Sequence, residues 1–154
     1  MIETTVQNYW NEFRAEHPGA PETVNAWGFG DSEKMADELA ALVVQGVKTA
    51  TASNYKMYEL GDEPLPKVGQ YDIVLDGSGA PAAIIRTTAV DVMPFCDVPE
   101  EHAFLEGEGD RSLGYWRRVH EDFFKRELEA EGLVFDERIP VVCERFEVVD
   151  VRGK

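Results

Sequence analysis

The sequence predicts an α+β fold on three observations. Amphipathic helical stretches are interspersed with β-rich runs, glycine- and proline-rich turns separate the two kinds, and the clearest strands form an antiparallel hairpin. At 154 residues there is no room for a second core of ordinary size, so residues 1–154 are expected to form one domain, with residues 1–20 as a helical extension. A domain of this size buries roughly two-thirds of its unfolded surface, which is enough to fold without a disulfide or metal staple.

The elements follow in chain order. Ile2, Val6, Tyr9, Trp10 and Phe13 recur at helical spacing and predict a helix over 3–16, broken by Pro18, Gly19 and Pro21. Asn25 to Asp31 has no clear periodicity and reads as an ordered loop. Asp31 or Ser32 caps a second helix that turns Met35, Leu39, Leu42 and Val43 inward and closes at Gly46. Thr49 to Ser53 suits a short strand with hydroxyls on one face and methyls on the other. Past a loop with Pro64, Pro66 and Gly69, Tyr71–Leu75 and Ala82–Val92 form the hairpin. A short strand is expected at Pro94–Val98 and a brief helix near Glu100–Leu105. A long helix from Ser112 to about Glu131 and a strand over Val141–Val149 complete the chain.

Charge narrows the classes of partner. Fifteen Lys and Arg against 30 Asp and Glu give a net charge of −15. Long nucleic acids bind mainly through cations that displace counterions from phosphates, so this chain repels a polyanion unless its cations cluster on one face. A small neutral nucleoside meets no such barrier. Cys96 and Cys143 lie far apart among apolar neighbours and read as reduced core residues. The N-terminus lacks the apolar run of a signal peptide, and no stretch reaches the roughly 20 apolar residues of a membrane span. The expected location is cytoplasmic.

Four groups of residues could carry chemistry. Gly46 to Ser53 places Lys48 beside the hydroxyls of Thr49, Thr51 and Ser53. A partly buried amine is a possible base, and Thr49 or Thr51 its proton donor and nucleophile. On a regular strand Lys48 and Thr51 face opposite sides, so a turn at Thr49 is required; otherwise Lys48 is a surface residue before an ordinary strand. Only Gly46 precedes this Lys-Thr pair, so it is not a phosphate-binding P-loop. Between Asp97 and Asp110 stand six carboxylates and no Lys or Arg, making Glu106–Asp110 either an acid–base site or a solvated turn; without EF-hand spacing no metal is expected. Leu113, Trp116, His120, Phe123 and Phe124 share a helical face, so His120 is either a core imidazole or a pocket floor orienting a carboxylate or substrate. Arg117 borders that face, while Arg118 points away to solvent. Trp27 and Phe29 plug the core or offer a stacking surface for a base.

Read together, five ordered blocks resemble the ASCH family: W-x-F-G-D at Trp27–Asp31, G-x-K-T-A-T at Gly46–Thr51, P-x-V-G-x-Y at Pro66–Tyr71, E-H-A-x-x-E-G-x-G-D at Glu101–Asp110 and S-L-x-Y-W-R-x-x-H-x-x-F-F at Ser112–Phe124. The resemblance implies a PUA-like, mixed or antiparallel small β-barrel flanked by helices, with an RNA-related role. Some relatives remove the acetyl group from N4-acetylcytidine with a Lys, a Thr three residues on and a distant Glu, which match Lys48, Thr51 and Glu106. Others are reported as ribonucleases or serve as RNA-binding modules. The small amidohydrolases lack the first helix and the 112–131 helix. The expected activity is hydrolysis of a modified nucleoside without a cofactor; single-stranded RNA cleavage and non-catalytic RNA binding are the alternatives. Trp27, Phe29, Thr49, Ser53, Arg86, Asp110, Arg117 and His120 are the expected substrate contacts, with Lys48, Arg86 and Arg117 forming a positive patch at the cleft.

Overall fold

The computed structural model describes residues 2–152, with side chains from Thr5 onward, so Ile2 of the first apolar stripe lies outside the described side chains. Among the described residues the order is α1 (Ile2–Glu16), β1 (Asn25–Gly28), α2 (Glu33–Val44), β2 (Ala50–Asn54), α3 (Tyr55–Gly61), β3 (Tyr71–Leu75), β4 (Pro81–Pro94), a 3-10 turn (Phe95–Asp97), α4 (Glu100–Glu106), α5 (Leu113–Ala130) and β5 (Pro140–Val151). The strands make one curled half-barrel sheet in the order β1-β3-β4-β5-β2. The pairing is antiparallel except between β1 and β3. Register breaks at Ile84/Ile85 and Thr87/Ala89, where β4 runs against β5, add the local twist that lets so long a pair curl.

Alternation along the strands divides the core. Ile73 and Ile84 point to one face, where Tyr9, Trp10 and Phe13 of α1 cover them. Val74, Ala83 and Ile85 point to the other, where Leu39, Ala40 and Val43 of α2 meet them together with Phe146. A third cluster joins Trp116 and Phe124 of α5 to Phe95, Val141 and Cys143. Ser32 is the cap of α2, its hydroxyl accepting from the Met35 amide at 3.1 Å, and Gly46 follows the helix with φ +78°. Ser112 caps α5 in the same way through the Tyr115 amide.

Several expectations are corrected. Asn25–Gly28 is not loop but strand, stabilised by parallel pairing with Asp72–Leu75. Pro94–Val98 contains a 3-10 turn rather than a strand: the Phe95 and Cys96 amides donate to the Ile139 and Glu137 carbonyls, and the chain then turns. Cys96 on that turn is exposed, and only Cys143 is a core thiol. Helix α3 was not foreseen; Asn54 starts it by accepting from the Lys56 amide. No helix among the described residues is long and apolar enough to cross a membrane.

Candidate functional site

The chain leaves α2 through two amides, those of Val47 and Lys48, which both donate to the Leu42 carbonyl. Lys48 therefore precedes β2 and is not part of a regular strand, so strand alternation does not govern its direction. The Thr49 amide then donates to the Leu105 carbonyl of α4, and its carbonyl accepts from the Phe146 amide of β5. This turn tucks Lys48 inward until its side chain is only 1% exposed. Its Nζ lies 2.8 Å from Glu108 Oε2, 2.9 Å from the Ala50 carbonyl, 3.3 Å from Glu106 Oε1 and 3.4 Å from the Glu106 carbonyl. All four are acceptors, so the three protons of an ammonium serve them with one shared, the two Glu106 oxygens at 3.3 and 3.4 Å being the more distant. The Phe29 ring stands 5.0 Å away as an apolar wall with cation–π attraction.

Glu106 ends α4, where the helix dipole disfavours a negative charge, so its carboxylate depends on side-chain partners. The Trp116 indole donates to Oε2 at 2.6 Å. His102 Nε2 lies 3.0 Å from the same oxygen, off the line that a hydrogen bond requires. His120 Nε2 lies 3.5 Å from Oε1, and its Nδ1 donates to the Trp116 carbonyl at 2.8 Å. Burial alone would push the Glu106 carboxyl up; the charge of Lys48, followed by that of His120, outweighs it and holds the group well below the usual carboxylate range. Burial likewise opposes the charged form of His120, but Glu106 raises it above the ordinary imidazole value. Gly107 permits this geometry. Its φ is +75°, and a Cβ there would sit 2.8 Å from the Val47 carbonyl oxygen, inside the turn that carries Lys48.

Glu106, Glu108 and His120 offer ligand atoms within 4.8 Å of one another. The Lys48 ammonium bridges the same two carboxylates, so a cation would have to displace it before binding there.

Two cavities adjoin this centre. One, of about 440 Å³, is lined by Phe29, Lys48, Glu106, Glu108 and His120, with Arg118 and Arg126 at its side. The other, of about 600 Å³, opens on the opposite side of β2 and holds Trp27, Ser53, Tyr58, Asp72 and Glu144. Thr51 is the one residue that lines both. Its register partner is Glu144, so its side chain shares the face of the second cavity, and among the described residues no hydrogen bond joins it to Lys48.

The expected site residues thus divide. Lys48, Glu106, His120 and Phe29 converge on the first cavity, Trp27 and Ser53 on the second, with Thr51 between. Thr49 lines neither and acts through its backbone. Asp110 is exposed and accepts from the Ser112 amide, serving the start of α5. The positive patch does not assemble: Arg86 lies over the Tyr71 ring and Arg117 donates to the Cys96 carbonyl, neither lining a cavity. Arg118 is exposed, as expected, and reaches the rim of the first cavity next to Arg126, which pairs with Asp31 and Asp122.

Sequence reasoning missed Glu144 altogether. It is 7% exposed, and burial, followed by the neighbouring Asp72 charge, pushes its carboxyl up to about 7 against an opposing bond from Thr87. The folded chain therefore holds this proton more tightly than the unfolded chain. The associated stability is complete below about pH 4.5 and is lost as pH rises through 7, to the order of 3 kcal/mol. Glu144→Gln is expected to be more stable than the native chain at pH 8, with the advantage shrinking towards pH 5. Thermal melts across that range check the sign.

A curled PUA-like half-barrel with flanking helices and a buried lysine–carboxylate centre defines the class. The chain belongs to the ASCH-domain family, whose model matches residues 25–150 and whose members are generally RNA-related. It is similar to the crystal structure of protein EF3133 from Enterococcus faecalis V583, at 44% identity and a TM-score of 0.91, over 97% of this chain and 91% of that one. It is also similar to an ASCH domain from Lactobacillus crispatus JV V101, at 32% identity and a TM-score of 0.87, over 97% and 94% of the two chains. Protein PH0355, at 17% identity and a TM-score of 0.55 over 82% of this chain and 100% of that one, shares the fold alone. No curated protein matches the chain.

Proposed function

We propose that the protein hydrolyses an acylated nucleoside of the N4-acetylcytidine type, with Lys48, Thr51 and Glu106 as the catalytic residues. The observation that carries this reading is the buried contact of Lys48 with Glu106 beside a threonine that borders both cavities. In the resting site Lys48 is a fully engaged ammonium, so its first step is to pass a proton to Glu106 across their 3.3 Å contact. The freed amine then takes the Thr51 proton, and Thr51 Oγ1 bonds to the acyl carbon. Glu106 returns its proton to the departing amine as the carbon–nitrogen bond breaks. Water then attacks the resulting ester as the Glu106 carboxylate takes its proton, the Lys48 ammonium protonates the departing Thr51 oxygen, and transfer of the Glu106 proton to Lys48 restores the resting pair. Because its surroundings hold the Glu106 carboxyl well below the usual range, the first transfer is uphill, and a ligand that displaces water and separates Glu108 from the amine would reduce that cost. The net charge of −15 agrees with a small uncharged substrate better than with a polynucleotide.

Incubation with N4-acetylcytidine and other acylated nucleosides tests the reading. Release of the free amine is expected from the native chain, measurable turnover from Thr51→Ser, and none from Thr51→Val. A native chain inert to every acylated nucleoside yet retaining short single-stranded RNA at low salt would assign the domain to RNA recognition instead.

A further inference from the structure

The second cavity contains a carboxyl group that the proposed hydrolysis does not use. Glu144 projects from β5 into a space of about 600 Å³ and is more than nine-tenths buried. Thr87 Oγ1 reaches its Oε2 at a long 3.4 Å, and among the described residues no donor serves Oε1. Its neighbour Asp72 is arranged differently. Both Asp72 oxygens accept from Gln70, and Oδ1 also accepts from the Trp27 indole at 3.1 Å, so Asp72 is satisfied and fixes the aromatic wall. The titratable groups facing the space are Asp72 from β3, Tyr58 from α3 and Glu63 from the loop after it; among the described residues no Lys, Arg or His lines it. A buried carboxyl with a free oxygen, beside an aromatic wall and without a cation, lacks a donor that the fold itself does not provide.

We propose that this cavity binds a ligand carrying an amidine-type edge, an N–H donor and a second nitrogen on one carbon, paired through two hydrogen bonds with Glu144. The chemistry selects this edge because a carboxyl group matches it in either protonation state. A neutral carboxylic acid donates to the bare ring nitrogen and accepts from the amino group; a carboxylate accepts twice from the protonated, amidinium form. Aminated nucleobases and guanidinium groups both present such an edge. An imide edge, as in uracil, pairs only with the neutral acid, and through a carbonyl oxygen that accepts more weakly than a ring nitrogen. Trp27 gives a flat base or a guanidinium plane a surface to stack on. The assignment concerns binding and stands apart from turnover at Lys48 and Thr51.

Titration of the native chain with cytidine, adenosine, agmatine and uridine, followed at the Trp27 indole N–H by NMR, tests it. Saturable shifts are expected with at least one of the first three and clearly weaker binding with uridine. Glu144→Leu should weaken that binding by tenfold or more. Glu144→Gln separates the two sources: its amide still pairs with a neutral base edge, so nucleoside binding persists, whereas agmatine binding is lost. No saturable binding of any of the three, equal binding by uridine, or unchanged affinity in Glu144→Leu overturns the proposal. Loss of acyl hydrolysis in the native chain leaves it untouched.

Discussion

Glu106→Ala is expected to lower stability by about 3–5 kcal/mol, the usual cost of removing one partner from a buried ion pair. Both Glu106 and Lys48 are 1% exposed, so water cannot replace the lost carboxylate without opening the core. The substitution also orphans the Trp116 indole N–H, which donates to Glu106 at 2.6 Å, and leaves a void between α4 and α5. Glu108, at 2.8 Å from Lys48, limits the damage but sits at the edge of the site. The melting temperature should fall by roughly 6–20 °C for a chain of this size. Denaturant titration gives the free energy directly, and a loss below about 1 kcal/mol would show that the ion pair does not hold the site together in solution.

Lys48→Met is expected to reduce acyl hydrolysis by about 100- to 10,000-fold, the range of a positioned acid–base group. Methionine keeps much of the side-chain volume against Phe29, so the loss should not follow from collapse of the cavity. It does strand Glu106 and Glu108 beside one another, and the two carboxylates then favour taking up a proton. The variant should accordingly recover stability as pH falls, opposite to the behaviour expected from the native Lys48–Glu106 pair. Rates within a few-fold of native would move the chemistry away from Lys48. Lys48→Arg offers a second readout, because a guanidinium retains the charge but cannot act as a base. Retained activity there would assign Lys48 an electrostatic role.

Much of the scaffold could be read from local patterns, because each such element carries its own signal. The caps at Ser32 and Ser112, the helical spacing of Trp116, His120 and Phe124, and the runs of β3 and β4 are all decided by neighbouring residues. Strand β1 has no such signal: Asn-Ala-Trp-Gly is poor in β-branched residues, and its parallel partner begins at Asp72. The lysine–glutamate part of the site was legible through the ordered motifs. Glu144 was not, because a glutamate between Cys143 and Arg145 reads as the wet side of an alternating strand. From Val141 to Glu144 every residue of β5 is buried, so that strand has no wet side in this stretch. The distribution of cations was equally illegible, since the positions of Arg86, Arg117 and Arg118 relative to the cavities depend on how the sheet curls and where α5 lies across it.

The position of β5 has a consequence for how the protein is made. It lies between β4 and β2, and its Cys143–Glu144 segment faces Ala52 and Thr51 across the ladder. A chain emerging from the ribosome releases Lys48 and Thr51 early, yet β2 remains without its hydrogen-bonding neighbour until residues beyond 140 are synthesised. At about 5–20 residues per second, that interval lasts roughly 5–20 seconds. Throughout it, β2 is an unpaired segment, able to pair with other nascent segments. The pairing of β2 is thus among the last events of synthesis, and a ribosome stalled before β5 carries a chain in which Thr51 still lacks its neighbour Glu144 across the ladder.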